Sequence, residues 1–166
     1  MNLLILSPMW LAWVFMALMT AAAIEDAVRL RISNLLCLGV LVGALVAMAL
    51  AGPDWALWQN FAVMAALLAI GTPMFAAGKM GGGDVKLLAA AGLWFDLRGA
   101  LAALIWVLIA GGVLALIIIL VRLLGWSDAA RQRVHVLKRG GGIPYGVAIA
   151  AGTLVAGSAM RSAAAF

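Results

Sequence analysis

Six stretches of nearly unbroken apolar sequence, at roughly 3–23, 35–51, 56–76, 85–97, 99–121 and 143–160, constrain this chain more than any motif in it. A soluble domain of this size needs polar faces to meet water, yet 67% of the residues are hydrophobic, 10% are charged and the mean hydropathy is +1.19. Runs of about 20 apolar residues cross a bilayer as helices, because in lipid each backbone polar group must bond within its own segment. The expectation is therefore an all-α integral membrane protein, a single membrane-embedded domain over residues 1–166 built as a bundle of about six transmembrane helices. The fourth stretch is short for a span and is expected to begin below the membrane surface or to be covered by neighbours. The first stretch ends in "TAAAIED", which imitates a leader cleavage site, but residues 1–6 hold no basic region, and the stretch is expected to be a retained helix.

A net charge of +5 would suggest nucleic acid in a soluble protein. Here the basic residues occupy the gaps between apolar stretches, where they act as topology signals, and nucleic-acid binding is set aside. Arg29 and Arg31 fall in the first gap, Lys79 and Lys86 around the third, and Arg122, Arg131, Arg133, Lys138 and Arg139 in the fifth. Only Arg98 and Arg161 fall on the other side. The positive-inside rule thus puts the first, third and fifth gaps in the cytoplasm and both termini on the periplasmic side. Trp10, Trp13, Trp55, Trp58 and Trp94 are expected at the outer interface and Trp126 at the inner one, with Trp106 packed inside. Residues 122–142 read as a basic loop lying on anionic lipid.

Chemistry must then reside in the bundle or at its inner surface. The lone Cys37 and lone His135 supply neither a disulfide nor a ligand set, so no metal or cofactor is expected; Cys37 reads as a small core residue and His135 as a loop residue. Among six acidic residues, Asp54, Asp96 and Asp128 sit in loops and read as solvated or capping. Asp26 closes the first apolar stretch and Asp84 opens the fourth, both at the cytoplasmic end by the charge count. Two carboxylates meeting near low dielectric resist double ionisation and tend to share one proton. That state suits aspartic proteolysis: the ionised carboxylate deprotonates a water that attacks a peptide carbonyl, while its protonated partner donates to the developing oxyanion. Gly81, Gly82 and Gly83, directly before Asp84, read in two ways. They open backbone angles and space for an extended substrate beside the carboxylate, or they form a tight interhelical loop with Asp84 as helix N-cap.

"GGGD", residues 81–84, resembles the GxGD signature of intramembrane aspartyl proteases, and "MGGGDVKLLAAAGLW" resembles the second active-site segment of type IV prepilin peptidases. "EDAVRLRISNLL", residues 25–36, is similar to their first segment, and "GGIPYGVAIAAG", residues 141–152, to the stretch that opens their final helix. The resemblance implies that Asp26 and Asp84 form the catalytic pair and that the substrate is a prepilin, whose basic leader is removed at the cytoplasmic face of the bacterial inner membrane. Ser33 stands where the family usually has proline and is expected to cap the second helix. The chain lacks the cysteine-bearing N-terminal insertion of methylating members, so it resembles the short, peptidase-only form of Flp (tight-adherence) pili, with no methyltransferase activity expected.

Around this pair, Glu25 competes with Asp26, but successive helical residues point about 100° apart and only one of them can face Asp84. Arg29 could pair with Asp26. Lys86 reads as an interface anchor or as an electrostatic tuner of the pair. Asn34 reads as a helix cap or as orienting the first loop. Pro144 suits the first turn of the last helix, Tyr145 either bonds within the site or marks the interface, and Gly146 completes that group. Gly71 and Pro73 are expected to bend the third helix. A reading from another class is a small proton-coupled carrier with the two aspartates as a relay; a scaffold that binds prepilins without cutting them is a third.

Overall fold

The computed structural model describes residues 1–123 and 142–164. Asp128 and His135, with Trp126 and most of the basic loop, lie outside the described residues. Among the described residues the chain is all helical: α1 (Leu3–Leu6), α2 (Met9–Arg29), α3 (Asn34–Ala51), α4 (Trp58–Ala76), α5 (Gly82–Gly92), α6 (Leu97–Leu123) and α7 (Tyr145–Ala164). A 3₁₀ turn, Trp55–Leu57, leads into α4. Five of the helices are long and apolar enough to cross a membrane: α2, α3, α4 with its leading turn, α6 and α7. With α5 they make the six-helix apolar bundle that the sequence suggests.

Boundaries differ from the sequence reading in three places, each for a local reason. The first apolar stretch is broken at Ser7 and Pro8, because proline lacks the N–H that would continue the helix. Before the break is a single turn, α1, capped by Asn2, whose side-chain oxygen accepts from the Leu4 N–H at 3.1 Å. At its other end α2 runs past the apolar stretch to Arg29 and stops at Leu30, whose φ of 52° is left-handed and whose N–H donates to the Asp26 carbonyl at 2.8 Å. The fourth stretch shifts towards its glycines, so that α5 has 11 residues, about 16 Å, half of what a bilayer core requires.

The short helix is covered. Packed against α3, α4 and α7, it buries Val85, Leu87, Ala89, Ala90 and Ala91, and the turn after it buries Leu93, Trp94 and Phe95. Trp94 is fully enclosed rather than set in an outer aromatic belt. Its ring lies 4.8 Å from that of Phe15 and its indole N–H donates to the Val40 carbonyl at 3.0 Å, a partner that a buried indole requires. Trp10, Trp13, Trp55 and Trp58 are exposed near that end, and Trp106, expected to be packed, is 41% exposed.

Lipid offers no hydrophobic drive for helices to associate, so close approach at small residues does the work. Gly152 of α7 lies against the Val107 backbone of α6, and a Cβ at Gly71 of α4 would stand 2.7 Å from Val85 of α5. The end of the bundle remote from Arg29 and Lys86 is closed by polar groups. Asn60, fully buried, donates to the Met1 carbonyl at 2.8 Å and the Leu93 carbonyl at 3.0 Å, and Arg161 donates to the Leu4 carbonyl. Asp54 and Asp96 cap as expected, accepting from the Ala56 and Gly99 amides at 2.7 Å each.

Candidate active site

Alternation of the helices brings the last turn of α2 and the first turns of α3, α5 and α7 to one end, together with Arg29, Arg31, Lys79 and Lys86. Asp26 lies in the last turn of α2 and is 4% exposed; Asp84 is the third residue of α5 and is 9% exposed. Each carboxylate is held by a backbone amide at a helix start. Gly146, the second residue of α7, donates to Asp26 Oδ2 at 2.7 Å, filling an amide that a helix start leaves without an intrahelical acceptor. Gly81, just before α5, donates to Asp84 Oδ2 at 3.2 Å. Asp84 thus caps its helix from within the first turn rather than from the N-cap position, and does so with one oxygen. Its other oxygen, Oδ1, is buried and has no hydrogen-bond partner among the described residues.

A buried carboxylate oxygen without a donor is costly in its charged form. Accordingly the Asp84 carboxyl is raised to about 6, first by burial and then by the charge of Asp26, with the Gly81 amide acting in the opposite sense. The influence of Asp26 on Asp84 and the shared neighbour Ile32 mark one locus. Ile32 lies where a Cβ at Gly83 would approach its Cβ to 3.1 Å and where a Cβ at Gly146 would approach its Cδ1 to 2.7 Å, so the loop of residues 30–33 covers both helix starts.

The glycines before Asp84 serve packing. None of the three has a positive φ, in contrast to Gly78 at +69°; Gly82 and Gly83 are helical. A Cβ at Gly81 would meet Asp84 Oδ2 at 2.7 Å, one at Gly82 the Phe75 ring at 3.2 Å, and one at Gly83 the Ile32 carbonyl oxygen at 3.2 Å. Special backbone angles, the first of the two sequence readings, are absent; the need for space remains.

Several neighbours take other roles than the sequence suggests. Arg29 pairs with Glu25 at 3.6 Å, not with Asp26. Glu25 also accepts from the Ser33 amide at 2.9 Å, so it fastens the loop over the site, a role not anticipated for it. Ser33 occupies the N-cap position of α3, but its side chain makes no capping bond. Asn34 neither caps nor touches the aspartates; its side-chain oxygen accepts from Lys86 Nζ at 2.9 Å, tying exposed ends of α3 and α5 together. Cys37 is buried, its thiol 3.8 Å from the Gly83 carbonyl oxygen. Pro144 is buried immediately before α7 and accepts from the Val147 amide at 3.2 Å. Tyr145 is 42% exposed, on the wall of a cleft beside the site. The contact between Gly146 and Asp26 had no counterpart in spacing: it joins residues 120 positions apart.

Against known proteins, residues 13–116 match the type IV leader peptidase family. That span is more than half of the chain and includes both aspartates. The chain belongs to the type IV leader peptidase family. No curated protein and no solved structure matches it. As a member of a family of peptidases with several apolar helices, it is a multi-pass membrane protein of peptidase type. Helix α7 lies beyond the matched residues, so in this chain the amide that holds Asp26 comes from outside the segment by which the family is identified.

Proposed function

We propose that this leader peptidase is an aspartic endopeptidase that removes the basic leader of prepilins at the cytoplasmic face of the bacterial inner membrane. The observation that carries the reading is the pair of buried carboxylates at the basic end of the bundle, each fixed through one oxygen by a backbone amide. In the proposed reaction the pair holds a single proton. The ionised member takes a proton from a water whose oxygen forms a bond to the scissile carbonyl carbon, while the protonated member donates to the carbonyl oxygen. The tetrahedral intermediate then collapses: the C–N bond breaks, the leaving nitrogen takes a proton from the carboxyl that received it from water, and the hydroxyl proton returns to the other carboxylate. The pair is restored to its one-proton state, and both products are released.

In this reading the chain resides in the inner membrane, and the charge distribution supports an orientation with both termini in the periplasm. The basic leader then lies in the cytoplasm and the apolar helix of the prepilin in lipid, so the scissile bond falls at the boundary where Asp26 and Asp84 sit. We assign the chain to the peptidase-only form acting on Flp-type pili, without methyltransferase activity. A proton-coupled carrier would need polar stations across the bilayer. Thr153, the buried hydroxyl in the middle of α7, is instead turned back onto its own helix, donating to the Ile149 carbonyl at 2.7 Å.

The test is co-expression with a prepilin and an immunoblot for leader removal. Asp26→Asn and Asp84→Asn are each expected to abolish processing. Retained processing in both variants rules the mechanism out.

A further inference from the structure

Among the described residues a cleft of about 480 Å³ opens between α4, α6 and α7, close to the volume of one helical turn of about 10 Å diameter. Its wall includes Gly71 and Met74 of α4, Leu108 and Gly112 of α6, and Met80 and Tyr145 at its basic end. Two observations connect it to the carboxylates. Met80 adjoins Gly81, whose amide holds Asp84, and Tyr145 adjoins Gly146, whose amide holds Asp26. One end of the cleft is therefore framed by the two helix starts that position the pair. The second observation is its polarity profile. The wall is apolar apart from Lys79 and Tyr145 at the basic end, the profile of a surface that meets an apolar helix in lipid whose flank emerges at the membrane surface.

At Gly112 the opening is unfilled by side chains of the described residues: a Cβ there would meet none of their atoms within 4 Å, and one at Gly111 would meet only Ala148 at 3.6 Å. Most glycines between the helices of this bundle are in close contact with a neighbour; among the described residues Gly112 faces room, and Gly111 is packed only loosely against Ala148. Resting on the peptidase reading above, we infer that this cleft seats one face of the prepilin's apolar helix, with Gly111 and Gly112 admitting its side chains and Met80 and Tyr145 flanking the point where the chain must unwind towards the aspartates. Residues of α6 in the cleft then determine which apolar helices are accepted. The two aspartates alone do not.

The experiment uses full-length protein with Cys37→Ala and a prepilin that the wild-type protein cuts, carrying one cysteine in its apolar helix. Gly112→Cys and Ala115→Cys are expected to form a disulfide with the prepilin on mild oxidation, whereas Val42→Cys, on the lipid-facing side of α3, is not. Because a side chain at position 112 enters open space, Gly112→Trp is expected to leave thermal unfolding in detergent unchanged while lowering prepilin processing at least tenfold. Adducts from Val42→Cys instead of the cleft positions, disulfide-linked dimers of the peptidase in place of prepilin adducts, or wild-type processing by Gly112→Trp would each overturn the inference. Those outcomes are distinguishable from failure of the peptidase reading, which shows as processing that survives loss of Asp26 and Asp84.

Discussion

Gly146 is the residue on which the position of Asp26 depends most directly. Any Cβ there would stand 2.9 Å from Asp26 Oδ2 and 2.7 Å from Ile32 Cδ1, so even alanine must displace the carboxylate, the loop above it, or both. Displacements of about 1 Å in catalytic groups cost on the order of a hundredfold in rate, and Gly146→Ala is expected to slow prepilin processing by about that factor in a timed cleavage assay. Glu25→Gln is expected to retain most processing, because an amide oxygen can still accept from the Ser33 N–H; complete loss there would transfer the first catalytic role to Glu25. For Asp84 the pH dependence has a definite sign. Its carboxyl is raised to about 6, so the folded protein holds a proton that the unfolded chain, at the ordinary carboxylate value, releases between about pH 4 and 6. Stability contributed by this group falls as pH rises through that window. Asp26→Asn removes the neighbouring charge and is expected to move the carboxyl C=O infrared band of Asp84 to titrate at lower pH; an unmoved or upward-moved titration would show that the charge of Asp26 does not raise Asp84. Sequence alone points to both aspartates through their place at the ends of apolar stretches, and to Asp84 also through the three glycines before it. It gives no warning that Glu25 fastens the loop or that Arg29 turns towards Glu25, since side chains three and four residues apart on a helix are equally within reach.

At the scale of elements, α5 is the helix that departs most from a simple spanning role. It is half-length, and its burial rests on small residues: a Cβ at Gly92 would strike Leu67 of α4, with Val63 3.1 Å away. Gly92→Leu is therefore expected to lower the thermal unfolding temperature in detergent, with a destabilisation of about 1–3 kcal/mol typical of overpacking. Lys86→Gln removes the bond to Asn34 at the exposed edge of the same helix, and is expected to change stability by less than about 1 kcal/mol and processing by only a few fold. A loss comparable to that of Asp84→Asn would give Lys86 a direct part in the chemistry. The existence and order of the long helices were legible because a run of about 20 apolar residues has few alternatives in lipid. Their ends were not. Pro8 ends one helix where hydropathy continues, and α5 begins among glycines that no propensity favours in a helix, because tertiary contacts with Ile32 and Phe75 occupy the space left by their missing side chains. Trp94 was misplaced for a related reason: as an aromatic near a helix end it fits an interfacial belt equally well, and only packing against Phe15 and Val40 places it inside.

For the whole molecule, the alternation of helices fixes that α2, α4 and α6 end where α3, α5 and α7 begin, which makes orientation a single choice. The charge count takes that choice as basic end inwards. With Cys37→Ala as background, a cysteine at Arg31 is expected to resist a membrane-impermeant thiol reagent in intact cells while one at Ser162 reacts; the reverse pattern would turn the molecule over and place the aspartates outside. The same alternation spreads one small centre across the chain. Asp26 belongs to the first spanning helix, Asp84 to the fifth helix in sequence, and the amide at Gly146 to the last. A ribosome that has released only the first hundred residues into the bilayer has thus delivered both acids but not the group that orients one of them. On the proposed mechanism, partly synthesised chains stand unarmed beside whatever they meet, and the bond that completes the centre forms only once the final helix has been inserted.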